Sequence, residues 1–318
     1  FRREVLPPLE IQRKPPRDRG SMKKGDCDTM KKFLALILTL AMALSVTACG
    51  GSDDTADDTA DGEGSGTEET ADYASMTDDE LKAAITTVEG GKLTVATSPD
   101  FAPYEFYSID ESGNAQLAGF DIALSQYIAD YLGLELVVDD MGFDAALLAA
   151  QNGQSDIVMA GVSVTPDRQE VMDFSDSYAT GIQVVIVKEG SDVTMDNLGE
   201  KMIGCQKATT GYLYASDTPE NGGYGEDHVI AYETGALAVE ALKNGQVDCV
   251  IIDNEPAKAY VAANEGLTIL ETPWVEEDYA IGMKKGNTAL LEAVNAAMTE
   301  LKADGTFQAI VDRYITAD

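Results

Sequence analysis

Positive charge is scarce in this 318-residue chain: 22 Lys and Arg stand against 56 Asp and Glu, a net charge of −34. The scarcity is uneven. Residues 1–48 carry 10 basic and 5 acidic side chains, whereas from Cys49 onward 12 basic side chains face 51 acidic ones. So acidic a body repels phosphate backbones, which excludes nucleic acid as a partner. It is also repelled by anionic lipid surfaces, so contact with a bilayer needs an inserted or covalent anchor. Long apolar runs are missing too. The mainly apolar stretch Phe33–Val46 falls short of the about 20 residues a spanning helix needs. No G-x-x-x-x-G-K-[ST] phosphate loop occurs, so no ATP site is expected in this chain. What is present, 44 % hydrophobic residues, suffices for a folded core.

The N-terminal region reads as a targeting signal. Met30-Lys31-Lys32, the apolar stretch and the small residues Thr47-Ala48 before Cys49 make a secretory signal peptide over 30–48. Val46-Thr47-Ala48-Cys49 resembles a bacterial lipobox. That resemblance implies cleavage before Cys49 and diacylglycerol on its sulfur, hence an extracytoplasmic protein touching the cell membrane through the Cys49 anchor only. Residues 1–29, dense in Pro and Arg, fit no signal peptide and are expected to be upstream sequence translated in error. Residues 49–80 form a linker. Gly50 to Glu80 holds 12 Asp and Glu, no Lys or Arg, and no Leu, Ile, Val, Phe or Trp, a composition expected to stay disordered. Cys205 and Cys249 lie in apolar strand patterns. They pair only if the strands set them opposite each other; two buried thiols are the favoured reading.

From Lys92 the pattern alternates: strand Leu93–Thr97, a loop, a helix with Asp121 as N-cap and Gly133 as its stop, strand Leu134–Val138, helix Asp144–Gln151, strand Asp156–Ala160. That order implies an α/β fold with a mostly parallel sheet flanked by helices. Asn152-Gly153-Gln154-Ser155-Asp156 recurs as Asn244-Gly245-Gln246-Val247-Asp248, each after an apolar helix and before an apolar strand, which points to two similar lobes. Ligands in such sheets bind beyond the carboxyl ends of strands. There the sequence places Ser98 and Phe101, then Gly161 and Ser163, then Gln206, Thr209 and Thr210, and finally Asp253.

Those residues have distinct chemistries. Thr165-Pro166-Asp167-Arg168 reads as N-cap, Pro and first turn. Arg168 therefore sits at the positive end of a helix, where a guanidinium is disfavoured unless an anion completes the site; a surface salt bridge is the bland alternative. Lys207-Ala208-Thr209-Thr210-Gly211 offers hydroxyls and free N–H groups at a helix start. Asp253 can accept an ammonium or cap the helix after it. Phe101 and Phe143 can stack on a ligand or belong to the core. Together they describe a site for an α-amino acid.

From Lys92 to Ile315 the chain resembles the extracytoplasmic amino-acid-binding proteins of ABC importers, solute-binding family 3. The resemblance is carried by Pro103-Tyr104-Glu105-Phe106, Gly119-Phe120-Asp121-Ile122-Ala123-Leu124, Ala160-Gly161-Val162-Ser163 with Thr165-Pro166-Asp167-Arg168, Asp173-Phe174-Ser175, Gln206 to Gly211, Asp253-Asn254-Glu255-Pro256, and Leu301 to Phe307. It implies the two-lobed periplasmic-binding-protein type II fold, with lobe 1 over 91–181 and 279–318 and lobe 2 over 182–278. The hinge strands would lie near Tyr178–Val184 and Asp278–Met283. It also implies a binding protein rather than an enzyme, with no cofactor or metal, whose partners are a free amino acid, a permease and a separate ATPase. By resemblance Arg168, Ser163 and Thr210 hold the ligand carboxylate, Asp253 and the Gly161 carbonyl beside Ala160 hold the ammonium, and Phe101 and Phe143 are walls.

Departures are Ala123, Ala208 where Gly is usual, and Ser98 where several binders of basic and amide amino acids carry Asp. Ser98 points to a neutral, polar ligand, with Gln206 bonding its tip, while Lys207 keeps acidic ligands open. The competing classes are a cyclohexadienyl-dehydratase-like enzyme, using Glu105 or Asp144 as acid, and a lipid-anchored adhesin.

Overall fold

The computed structural model describes residues 12–13, 72–110, 112–270 and 275–315. The expectations for the upstream segment, the signal peptide, Cys49 and most of the linker lie outside the described residues. The end of the expected linker, from Tyr73 to Glu80, is folded. A turn at Tyr73–Ser75 leads into α1 (Asp78–Ala84). Glu80 accepts from the Thr77 N–H at 2.8 Å in a capping box, the Tyr131 hydroxyl donates to Asp78, and Leu81 is buried. The cap satisfies helix-end donors and Leu81 supplies the apolar contact, which the acidic composition before it concealed.

In chain order the globule runs β1 (Lys92–Thr97), β2 (Asp100–Phe101), β3 (Glu105–Ile109), β4 (Ala115–Ala118), α2 (Phe120–Leu132), β5 (Glu135–Asp140), α3 (Phe143–Gln151), β6 (Ile157–Val158), α4 (Pro166–Val171), β7 (Met172–Phe174) and β8 (Ala179–Lys188). It continues β9 (Ile203–Gln206), α5 (Thr210–Ser216), β10 (Val229–Tyr232), α6 (Gly235–Lys243), β11 (Cys249–Asp253), α7 (Asn254–Ala263), β12 (Leu267–Ile269), β13 (Glu276–Tyr279), β14 (Gly282–Lys284), α8 (Thr288–Ala303) and α9 (Thr306–Tyr314).

Two sheets form the two lobes. The first has the order β5-β1-β6-β14-β7, parallel except at β14, with Gln12–Arg13 pairing parallel on its outer edge. The second has the order β10-β9-β11-β8-β12, parallel across β10, β9 and β11 and antiparallel at β8 and β12. The chain passes between lobes twice. Ala179–Ile182 of β8 pairs antiparallel with β13, while Gln183 onward enters the second sheet opposite β11. β13 then runs on through Ala280 and Ile281 into β14 of the first sheet.

The repeated pentapeptide is one device used twice. Asn152 and Asn244 cap their helices, and Gly153 and Gly245 follow in the left-handed region at φ 67° and 71°. Asp156 accepts from the N–H of Thr94 at 2.7 Å, and Asp248 from that of Met202 at 2.8 Å. Each carboxylate thus ties its strand to the neighbouring strand's start.

Several local expectations are corrected. Asp121 is not an N-cap. The cap is Gly119, at φ 128°, where a Cβ would lie 2.1 Å from the Tyr104 carbonyl oxygen. Asp121 is fully buried inside the first turn. The expected loop between β1 and α2 is a three-stranded antiparallel sheet, β2-β3-β4. β6 stops at Val158 rather than Ala160, and Gly161, at φ 54°, turns the chain into the cleft. Cys205 and Cys249 are free and buried. The register of β9 on β11 sets Ile203 against Cys249, which leaves Cys205 two positions further along.

Candidate functional site

Every residue singled out for ligand contact reaches the same place. Ser98, Phe101, Phe143, Ala160, Gly161, Ser163 and Arg168 from one lobe, and Gln206, Thr209, Thr210 and Asp253 from the other, line a cavity of about 320 Å³. Asp100 and Glu105 line it as well.

At one end is Arg168. Thr165 caps α4 by accepting from the Arg168 N–H at 3.3 Å, which fixes the side chain at the helix's positive end. Arg168 is 8 % exposed, so the salt-bridge-on-the-surface alternative fails. Its guanidinium donates to the carbonyls of Ser163 (2.7 Å) and of Ala208 across the cleft (3.0 Å), and lies 5.6 Å from the Phe143 ring centre. Burial lowers its pKa, opposed chiefly by the charge of Glu277. A guanidinium has donors left after two such bonds.

Glu277, on β13, escaped the sequence reading. Its carboxylate accepts from Thr210 (2.6 Å), Gln183 (3.0 Å), Ser163 (3.2 Å) and Tyr214 (2.9 Å). It therefore joins the hydroxyls of Ser163 and Thr210, which belong to different lobes and stand 3.5 Å apart. The only available signal was alternation: Glu277 is buried between exposed Glu276 and Asp278.

Asp253 is buried at the end of β11. It occupies the N-cap position of α7, as expected, but its side chain makes no capping hydrogen bond; its carboxylate accepts from the Tyr279 hydroxyl instead. Burial pushes its pKa up to about 6, against that hydrogen bond. Phe101 and Phe143 are both buried and both on the cavity, so the wall and core readings coincide. Gly161 fits close against Phe101, since a Cβ there would meet the ring at 2.7 Å.

The other end is acidic. Ser98 donates to Asp100 (3.1 Å), Gln206 approaches the same carboxylate at 3.5 Å, and Tyr260 of the opposite lobe donates to the Asp100 carbonyl (2.8 Å). Asp100 was missed because, in so acidic a chain, one more Asp carries no signal. Lys207 is compensated by Asp144 of the other lobe (3.2 Å) and by Glu233 (2.6 Å). Asp144 is thus engaged outside the cavity lining. Among the described residues no group of His, Cys, Asp and Glu is arranged to hold a metal ion.

Residues 93–317 match the family model described as bacterial extracellular solute-binding proteins, family 3. A "Probable histidine-binding protein" of Neisseria gonorrhoeae is 29 % identical, over 91 % of this chain and 97 % of that protein. The "ABC transporter glutamine-binding protein GlnH" of Bacillus subtilis is 27 % identical, over 91 % and 99 %. Among solved structures, the L-arginine-bound amino acid ABC transporter substrate-binding protein AbpA from Streptococcus pneumoniae is 33 % identical, covering 74 % of this chain and 96 % of that one with a TM-score of 0.65.

Proposed function

This chain belongs to the bacterial extracellular solute-binding proteins, family 3, and on that premise we propose that it is the lipid-anchored, substrate-binding subunit of an ABC importer, capturing an L-amino acid in the cleft between its lobes. The observation that carries the reading is the pairing of a buried guanidinium, Arg168, with a buried carboxylate, Asp253, in one cavity but on opposite lobes. A free amino acid presents the complementary carboxylate and ammonium. Holding both ends requires both lobes, so the ligand favours the closed arrangement by its differential affinity for it. That is the hinge closure for which periplasmic binding proteins are known. The closed form then delivers the amino acid to a permease driven by a separate ATPase. The names of the relatives, all binding proteins, support binding rather than catalysis.

The side-chain preference turns on the acidic end. A neutral polar ligand was expected because Ser98 lacks a carboxylate. In the folded chain Ser98 donates to the Asp100 carboxylate, and Glu105 lines the same cavity. Against Arg168, the lining carries three carboxyl groups, those of Asp100, Glu105 and Asp253. A zwitterion offsets Arg168 and Asp253 and gives Asp100 and Glu105 no cationic partner, so that buried pair of carboxyls must keep protons or remain unpaired, whereas a cationic side chain supplies a partner. A cationic amino acid is therefore the leading reading. A neutral amide is the second, favoured by the hydrogen-bonding Ser98 and Gln206.

Two experiments test this. Thermal-shift screening against the standard L-amino acids is expected to give stabilisation by at least one, of about 2.7 kcal/mol at a hundredfold excess over its Kd. No shift with any of them overturns the reading. For the anchor, Cys49→Ser is expected to leave the protein unprocessed or released into the medium. Mass spectrometry finding Cys49 unmodified in the native protein contradicts lipidation.

A further inference from the structure

Glu105 opens β3, is 1 % exposed and lines the cavity, yet neither of its carboxyl oxygens meets a hydrogen-bond donor. The same holds for Oδ1 of Asp121, whose carboxyl lies beside it. Asp121 Oδ2, by contrast, accepts from the Gly161 N–H and the Tyr178 hydroxyl, each at 2.9 Å. Two adjacent carboxyls offer each other only acceptors when both are ionised. They bond when one carries a proton and donates it to its neighbour. The main charges acting on Glu105 come from Asp121 on α2, Asp100 on β2 and Asp253 on β11, and all are negative. The buried phenols of Tyr104 and Tyr178 stand nearby and are held neutral by burial.

We propose that Glu105 and Asp121 hold one shared proton at the side-chain end of the cleft, and that a cationic ligand side chain docking on Glu105 displaces it. Cationic amino acids then bind with proton release, and uncharged ones of the same shape do not. The inference rests on the amino-acid reading of the cleft given above. Burial, reinforced by the negative neighbours, raises Glu105 well above its ordinary range, and burial raises Asp121 to about 6, so the pair keeps a proton toward neutral pH. The sign follows. Below the pair's titration the cation must compete with the proton, and its affinity falls by up to about tenfold per pH unit. Asp253 also titrates near this range, but it faces the α-ammonium that every amino acid carries.

Arginine and citrulline, its uncharged isostere, share that backbone and isolate the side-chain end. Calorimetric titration of the full chain with each, in buffers of different ionisation enthalpy, counts the protons released. Arginine is expected to release about one proton more than citrulline, and Glu105→Gln is expected to remove that difference. Equal release by the two ligands in the unmodified protein overturns the proposal, as does an excess that persists in Glu105→Gln. Binding of citrulline or glutamine without binding of arginine overturns it while leaving the amino-acid reading intact. No heat from any standard amino acid overturns both.

Discussion

Ala208 holds a left-handed backbone conformation, φ 62°, that L side chains avoid, while its carbonyl accepts from Arg168. Left-handed geometry strains a residue with a Cβ by about 1–2 kcal/mol, whereas Gly adopts it freely. Ala208→Gly is therefore expected to stabilise the fold by about 0.5–1 kcal/mol after Gly's own entropy cost. A rise in the urea midpoint at unchanged slope is the expected reading; a fall contradicts it. Gly161→Ala goes the other way. Its Cβ would press on Phe101 at 2.7 Å, and overpacking of this kind costs about 1–3 kcal/mol, read as weakened amino-acid binding in calorimetry. Arg168 was legible in the sequence because arginine is rare there and Thr165-Pro166 announces a helix start. Glu277 was not. Its donors lie 67, 94 and 114 residues away, besides Tyr214 at 63, and no local pattern encodes such distant partners.

The crossing strand β13 carries that carboxylate, and its partner β8 supplies the donor Gln183, at the place where the lobes join. Removing it leaves Ser163, Thr210, Gln183 and Tyr214 without their shared acceptor, and an orphaned buried donor costs about 1–3 kcal/mol. Glu277→Ala is thus expected to lower the urea midpoint and to weaken ligand binding together, because Ser163 and Thr210 lose their fixed orientation. Glu277→Gln keeps one acceptor oxygen and should fall between. Unchanged binding in Glu277→Ala contradicts a positioning role. At this scale β1, β5, β9 and β11 were readable from apolar runs bounded by turn residues, and the repeated pentapeptide gave the two lobes. The β2-β3-β4 sheet was not readable, since its strands are short and half exposed. The capping role expected of Asp121 failed because long-range partners, Gly161 and Tyr178, outcompete local capping.

Over the whole molecule, net charge −34 and a cleft lined with buried carboxyls act in the same direction. Asp100, Glu105, Asp121 and Asp253 all have pKa values raised by burial, the last two to about 6. The folded chain therefore binds more protons than the unfolded one between the ordinary carboxyl range and these raised values. Stability must fall as pH rises through that window, and self-repulsion of the acidic body adds to the fall. The melting temperature of the ligand-free protein is expected to be lower at about pH 8 than at about pH 6; the reverse order contradicts the assignment of raised carboxyls. The acidic surface was legible from composition, but the gathering of Asp100, Glu105 and Asp121, brought from β2, β3 and α2 of one lobe, appears only in the fold. The proposed function requires the cleft to grip an amino-acid carboxylate through Arg168. Calorimetry with the amino acid giving the largest thermal shift tests it most directly, on the unmodified protein, Arg168→Ala and the exposed control Arg313→Ala. Truncating one partner of a buried charge pair costs about 2–5 kcal/mol. Arg168→Ala is therefore expected to lose about 30-fold to a few thousand-fold in affinity while Arg313→Ala binds normally, and an Arg168→Ala protein that binds as tightly as the unmodified one contradicts the account.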